Sequence, residues 1–166
     1  MRNILTIADL YGLNVFVETG THKGDTIAAT RDRFDRIYSI EIFEPFVVAA
    51  RKRFAAYPKV TIVHGDSSTA LPSLLTEITD PILFWLDGHF SGEGTGKGDQ
   101  VSPIIAEIDH ILKLRTPGRD AIIIDDARLF IGKDGYPPLD EFLANMKKAF
   151  GVEPRHADDA IFILPR

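Results

Sequence analysis

The chain has 166 residues, 45% of them apolar and 26% charged, which is the length and composition of one soluble globular domain spanning 1–166. No apolar run reaches the roughly 18 residues that cross a bilayer, and the opening MRNILTIADLYGLN has no cleavable apolar core, so neither a membrane span nor a leader is expected. Zero cysteines exclude disulfides, thiolate zinc sites and cysteine nucleophiles and are compatible with a cytoplasmic protein, while a net charge of −5 argues against nonspecific binding to nucleic acid or acidic membranes.

Strand and helix signals then alternate. Val15–Glu18 is a short apolar run ending at the turn TGTHKG, and Asp25–Phe34 reads as a helix. Ile37–Glu41 is a second strand. Glu44–Tyr57 is a second helix with Pro45 in its first turn, an inner face of Val47, Val48, Ala50 and Phe54, and the basic run 51–53 on a solvated side. Val60–Val63 is a third strand ending in HGDSS, followed by a helix over Ala70–Ile78. Ile82–Leu86 is a fourth strand ending in DGHF. Five glycines fall between 88 and 98, which reads as a lid-like loop; its SGEGTGKGD lacks the first glycine and the final Ser or Thr of a phosphate-binding loop. Val101, Ile104, Ile105, Ile108, Ile111 and Leu112 recur at helical spacing, with His110 opposite them. Ala121–Ile124 is a fifth strand ending in Asp125-Asp126, and Leu139–Phe150 is a helix. Val152–His156 and Ala160–Leu164 read as a hairpin whose first strand Pro154 confines to a sheet edge.

Apolar strands separated by helices specify an α/β doubly wound sheet, mostly parallel and covered on both faces, of about seven strands with the last antiparallel. Ligands in such a sheet sit at the C-terminal ends of the strands. All five parallel strands end in acid: Glu18, Glu41, Asp66, Asp87 and Asp125-Asp126. One such acid is commonly a helix cap; five converging on one rim point to a ligand.

The loop Gly20-Thr21-His22-Lys23-Gly24 has His22 where a dinucleotide site needs its second glycine, and the Glu18 charge would repel a pyrophosphate. Glu41 stands where an acid accepts both ribose hydroxyls. A ligand with a ribose, an ammonium group and no phosphate is S-adenosylmethionine.

On these residues the chain resembles the class I S-adenosylmethionine-dependent methyltransferases. VETGTHKG is similar to that family's first motif, E-x-G-x-G-x-G, with His22 in place of the middle glycine. The resemblance implies cofactor contacts from Glu18, Thr19, Gly20, Thr21, His22, Gly24, Glu41, Asp66, Ser67 and Asp87, with Asp66 and Ser67 near the adenine. LDGHF together with IIIDDAR resembles the magnesium-dependent macrocin O-methyltransferase type. That resemblance implies a Mg²⁺ held by Asp87, Asp125 and Asp126, which agrees with the preference of hard cations for clustered carboxylates. Asp87 and His89 are then the catalytic candidates, with the His89 imidazole taking the acceptor's proton.

The expected activity is methyl transfer to a hydroxyl of a small-molecule acceptor. Acceptor walls are expected from 88–100, from 127–138, or from the partner in a homodimer. Trp85 reads as core. The alternatives are a non-catalytic S-adenosylmethionine- or nucleoside-binding module, an NAD-dependent oxidoreductase, and a nucleic-acid methyltransferase, which the negative charge disfavours.

Overall fold

A computed structural model describes residues 2–88 and 102–166. In chain order the elements are α1 (Arg2–Tyr11), β1 (Val15–Thr19), α2 (Asp25–Thr30), β2 (Arg36–Glu41), α3 (Glu44–Arg53), β3 (Val60–His64), α4 (Ser67–Glu77), β4 (Ile82–Leu86), α5 (Ile104–Leu114), β5 (Ala121–Ile124), a 3₁₀ turn (Ala127–Leu129), α6 (Leu139–Phe150), β6 (Arg155–Ala157) and β7 (Ala160–Ile163).

The strands form one seven-stranded sheet in the order β3-β2-β1-β4-β5-β7-β6. The first five are parallel, and β7 runs antiparallel between β5 and β6. This is the doubly wound, mostly parallel sheet expected from the sequence. The chain reverses its winding direction between β1 and β4, so the loops that follow those strands diverge and leave a crevice.

Side chains alternate across each strand, which divides the core in two. On one face Val15, Val17, Phe84, Ile122 and Ile124 pack against α4, α5 and α6. On the other, Phe16, Ile37, Leu83 and Ile123 pack against α1, α2 and α3. Strands apolar on both faces are what helical cover on both sides requires.

Several boundaries differ from the sequence reading. The helix α1 was not expected; Ile4, Ile7 and Ala8 bury its inner face at helical spacing. It ends at Gly12 (φ 63°), with the Leu13 N–H bonded back to the Ala8 carbonyl at 2.9 Å. Helix α2 stops at Thr30, where the chain tightens through Arg33 N–H to Thr30 O at 3.0 Å, although Phe34 stays buried and stacked on Phe16. Helix α3 stops at Arg53, ahead of Pro58, which disfavours helical backbone at Tyr57. Val48 is 60% exposed and off the inner stripe of Val47, Ala50 and Phe54. Helix α4 starts three residues early at Ser67, because Asp66 caps it. Helix α5 begins at Ile104; Val101 lies outside the described residues. The hairpin strands are shorter than expected, β6 lies at the sheet edge just after Pro154, and Trp85 is partly buried against the α1–α3 side.

Candidate functional site

The site is built at the C-terminal ends of β1, β2 and β4. Gly20 follows β1 with φ 84°, and a Cβ there would lie 2.3 Å from the Asp87 carbonyl oxygen. Only glycine allows the β1 and β4 exits to approach this closely. Gly24 closes the turn at φ 75°, where a Cβ would meet the Phe54 ring at 2.7 Å. Between them His22 takes φ 48°. A histidine therefore holds a left-handed conformation that favours glycine, at a cost of about 1 kcal/mol. Its ring packs edge-on to Phe46, with centroids 4.8 Å apart.

Beneath this turn lies Glu18, 1% exposed. It sits in register with Ser39 of β2, whose hydroxyl donates to Glu18 Oε2 at 2.6 Å. With that proton committed, Thr21 donates in turn to Ser39 Oγ at 2.5 Å. Burial pushes the Glu18 carboxyl up to about 8; the Ser39 hydrogen bond opposes this and the charges of Asp87 and Glu41 add to it. Glu41, at the end of β2, accepts the His22 and Phe43 backbone N–H groups, one on each carboxylate oxygen, both at 2.8 Å. Each oxygen keeps a second lone pair. Glu41 thus ties the glycine turn to β2.

Thr19 and Glu18 alternate, so they face opposite layers. On the Thr19 side lies a cleft lined by Asp87, Gly88, Ser102, Glu107, Asp125 and Tyr136, among others. The Asp87 N–H bonds the Thr19 carbonyl at 3.1 Å and the Asp125 N–H bonds the Leu86 carbonyl at 3.1 Å, which sets the two acids at neighbouring strand ends. Burial raises Asp125, the Asp126 N–H opposes, and the charges of Asp87, Asp126 and Asp159 add to the rise. Burial also raises the Tyr136 phenol, which has Phe130 edge-on beside it.

Two expectations change. Asp66 is first a helix cap: its Oδ1 accepts from the Ser68 N–H at 2.8 Å and the Ser68 hydroxyl at 2.7 Å. The three-carboxylate metal site is not assembled. Among the described residues no group of three Asp, Glu or His side chains could hold a metal ion. Asp126 takes a left-handed φ of 56° that starts the 3₁₀ turn, and its carboxylate pairs with Arg128 at 2.6 Å. Asp125 folds back to accept the Asp126 N–H at 2.9 Å. Among the described residues these carboxylates form no metal-ligand group, and no chemistry is routed through a metal.

His89 lies outside the described residues. His110, expected in solvent, is half-buried and bonds the Ser68 carbonyl at 2.8 Å, linking α5 to α4. The sequence reading missed Glu107. It falls one turn before Ile111, among apolar neighbours, and is 1% exposed. The signal was available: an acid between Ile104 and Ile108 sits on the inward stripe of α5.

No protein-family model and no curated protein sequence matches the chain. Solved structures do. The S-adenosylhomocysteine-bound methyltransferase PaMTH1 from Podospora anserina superposes with a TM-score of 0.68 at 19% identity, covering 98% of this chain and 76% of that one. The N-methyltransferase NodS from Bradyrhizobium japonicum gives 0.61 at 14% identity, covering 99% and 94%. An rRNA methylase from Streptococcus thermophilus gives 0.56 at 12% identity, covering 99% and 93%. Likenesses at these identities show architecture alone, and the chain has the Rossmann-like fold of the S-adenosylmethionine-dependent methyltransferases.

Proposed function

We propose that the protein transfers a methyl group from S-adenosylmethionine to a hydroxyl on a small-molecule acceptor. The observation that carries the cofactor half is the glycine turn over a buried acid. A Cβ at Gly20 would strike the Asp87 carbonyl, so glycine there brings the β1 and β4 exits together and sets the Gly20–Gly24 turn over Glu18. Glu18 beneath it is a poor neighbour for a phosphate and a good one for an ammonium group. Thr19, Gly20, Thr21, His22 and Gly24 would hold the methionine end, Glu41 the ribose, and Ser67 with capped Asp66 the adenine side. S-adenosylmethionine supplies a methyl group activated by positive sulfur.

The acceptor half rests on the cleft beside Asp87. It is concave, lies at the C-terminal ends of β4 and β5 and is walled by Tyr136 from the 127–138 segment. Its walls bring Asp87, Glu107, Asp125 and the Tyr136 hydroxyl toward one space, which suits a neutral, polar acceptor whose hydroxyl needs hydrogen bonds. Positioning that hydroxyl against the methyl group supplies much of the rate.

A thermal-shift comparison with S-adenosylhomocysteine, NAD and ATP, each with Mg²⁺ or EDTA, tests this. At about 100 times its dissociation constant, S-adenosylhomocysteine is expected to raise Tm by about 5–10 °C, equally with Mg²⁺ and EDTA. A larger shift with NAD makes the protein an oxidoreductase candidate. A shift that needs Mg²⁺ restores the metal. Methyl transfer from labelled S-adenosylmethionine to a panel of phenols, catechols and sugars then identifies the acceptor class; binding with no transfer to any of them favours a non-catalytic module.

A further inference from the structure

Glu107 stands on α5 at 1% exposure, directly behind the point where β1 and β4 end. A Cβ placed on Gly88 would lie 3.2 Å from Glu107 Oε1 and 3.2 Å from Thr19 Oγ1. That Oε1 is buried and has no hydrogen-bond partner among the described residues. The same side chain lines the cleft shared by Asp87, Asp125 and Tyr136. A buried oxygen without a partner costs about 1–3 kcal/mol, and more when charged. The Ser67 and Thr19 hydroxyls are the polar groups beside this carboxyl, and they leave Oε1 without a partner.

Other acids of the rim already have work. Glu18 holds Ser39, Glu41 holds two backbone N–H groups, Asp66 caps α4, Asp125 accepts the Asp126 N–H and Asp126 pairs with Arg128. Glu107 lines the cleft, and its buried Oε1 has no hydrogen-bond partner among the described residues.

We propose that Glu107 is the proton acceptor of the methyl transfer, an assignment that rests on the methyltransferase reading above. The lone pair of the acceptor oxygen forms the new bond to the methyl carbon. The carbon–sulfur bond breaks with its electron pair staying on sulfur, which passes from sulfonium to neutral thioether. The acceptor's proton moves to Glu107 Oε1, and carboxylate becomes carboxylic acid. Atoms and charge balance without a further reagent.

The groups that face Glu107 are consistent with this. Burial holds its carboxyl up to about 7; the Ser67 and Thr19 hydroxyls oppose the rise, and the charges of Asp66 and Asp87 add to it. These come from α4, β1 and the β4 exit, and the Tyr136 phenol faces it from the segment before α6. A nearby cation favours the carboxylate. Glu107 therefore ionises when the sulfonium is bound and is ready as a base; beside the neutral product it regains its proton.

The test is calorimetric binding of S-adenosylmethionine and of S-adenosylhomocysteine to the full chain at pH 7, in two buffers of different ionisation enthalpy, which counts protons released. The sulfonium ligand is expected to release up to about a third of a proton more than the thioether. Glu107→Gln is expected to abolish that difference while changing neither affinity more than about threefold. Should that variant fail to fold, Glu107→Asp keeps the acid and is expected to keep the difference. Equal proton counts in the wild type overturn the proposal, as does a difference that survives in Glu107→Gln. A difference lost in His89→Gln instead assigns the proton to His89. Loss of both ligands in Glu107→Gln makes the residue a cofactor anchor. No heat with either nucleoside overturns the cofactor reading itself.

Discussion

Glu18 is a carboxyl that the folded chain prefers uncharged. Its ordinary value of 4.5 rises to about 8 on burial. Between those two values the folded state binds more protons than the unfolded state, so this group's contribution to stability is fully present below about pH 4.5 and is lost as pH rises toward 8. Glu18→Gln removes the titration and keeps the shape. In urea melts of the unliganded protein, the stability of Glu18→Gln relative to wild type is expected to improve from pH 5 to pH 8 by roughly 2–4 kcal/mol. On the proposed reading the same variant is expected to bind S-adenosylhomocysteine at least about tenfold more weakly, because a bound ammonium would ionise Glu18 and an amide offers it no charge. A relative stability that does not move with pH would mean that water reaches Glu18. At this scale the sequence was informative about position and silent about side-chain direction. That Glu18 ends a strand before a glycine turn was legible. That Asp126 turns toward Arg128 was not, since the left-handed backbone at Asp126 is set by the 3₁₀ turn after β5.

Elements are held in register from the opposite rim. Arg115 at the end of α5 and Asp120 before β5 are 6% and 4% exposed and pair at 2.8 Å. Asp120 Oδ1 also accepts the Ile82 N–H at 2.8 Å, at the start of β4, and Arg115 reaches the Asp80 carbonyl at 2.6 Å and the Ile78 carbonyl. One ion pair thus joins the end of α5 to the entries of β4 and β5. Removing one partner leaves the other charge buried and uncompensated, which costs about 3–5 kcal/mol. Asp120→Asn is therefore expected to lower Tm by about 10 °C, read by scanning calorimetry. Its affinity for S-adenosylhomocysteine is expected to stay within about twofold, because the cleft lies at the far ends of the strands; a larger loss would mean that the clamp positions the site. Element types were legible wherever apolar periodicity was strong: α6 spans Leu139–Phe150 as read. In α1 the pattern is only Ile4, Ile7 and Ala8, too short to stand out, and the start of α4 is hidden because Asp66-Ser67-Ser68 serves as its cap while resembling a ligand motif. Caps and ligand acids use the same residue types at the same strand ends, and sequence alone does not separate them.

For the whole molecule, alternation of apolar runs made the sheet legible, because strands buried on both faces admit few other architectures. Gly88 and Tyr136, from the segments 88–100 and 127–138 where acceptor walls were expected, do line the described cleft, but the acceptor was not legible, since it depends on side-chain directions that the sequence does not give. Charge does bear on it. Some structures with this fold are rRNA methylases, the Streptococcus thermophilus protein among them. Duplex or single-stranded nucleic acid is held first by cations on its phosphates. This chain carries a net charge of −5, and its densest basic run is largely engaged within the fold. Arg51 donates to the Ile62 carbonyl, and Arg53 pairs with Asp25 at 2.8 Å and bonds the Lys23 carbonyl. The described cleft presents Asp87, Glu107 and Asp125, which would repel phosphates. A fluorescent rRNA hairpin is therefore expected to show no rise in anisotropy up to about 10 µM protein in low-salt buffer, where even nonspecific binders associate. Micromolar binding that weakens steeply with salt would move the acceptor from small molecules to nucleic acid, and the phosphate contacts would then have to come from cations other than Arg51 and Arg53.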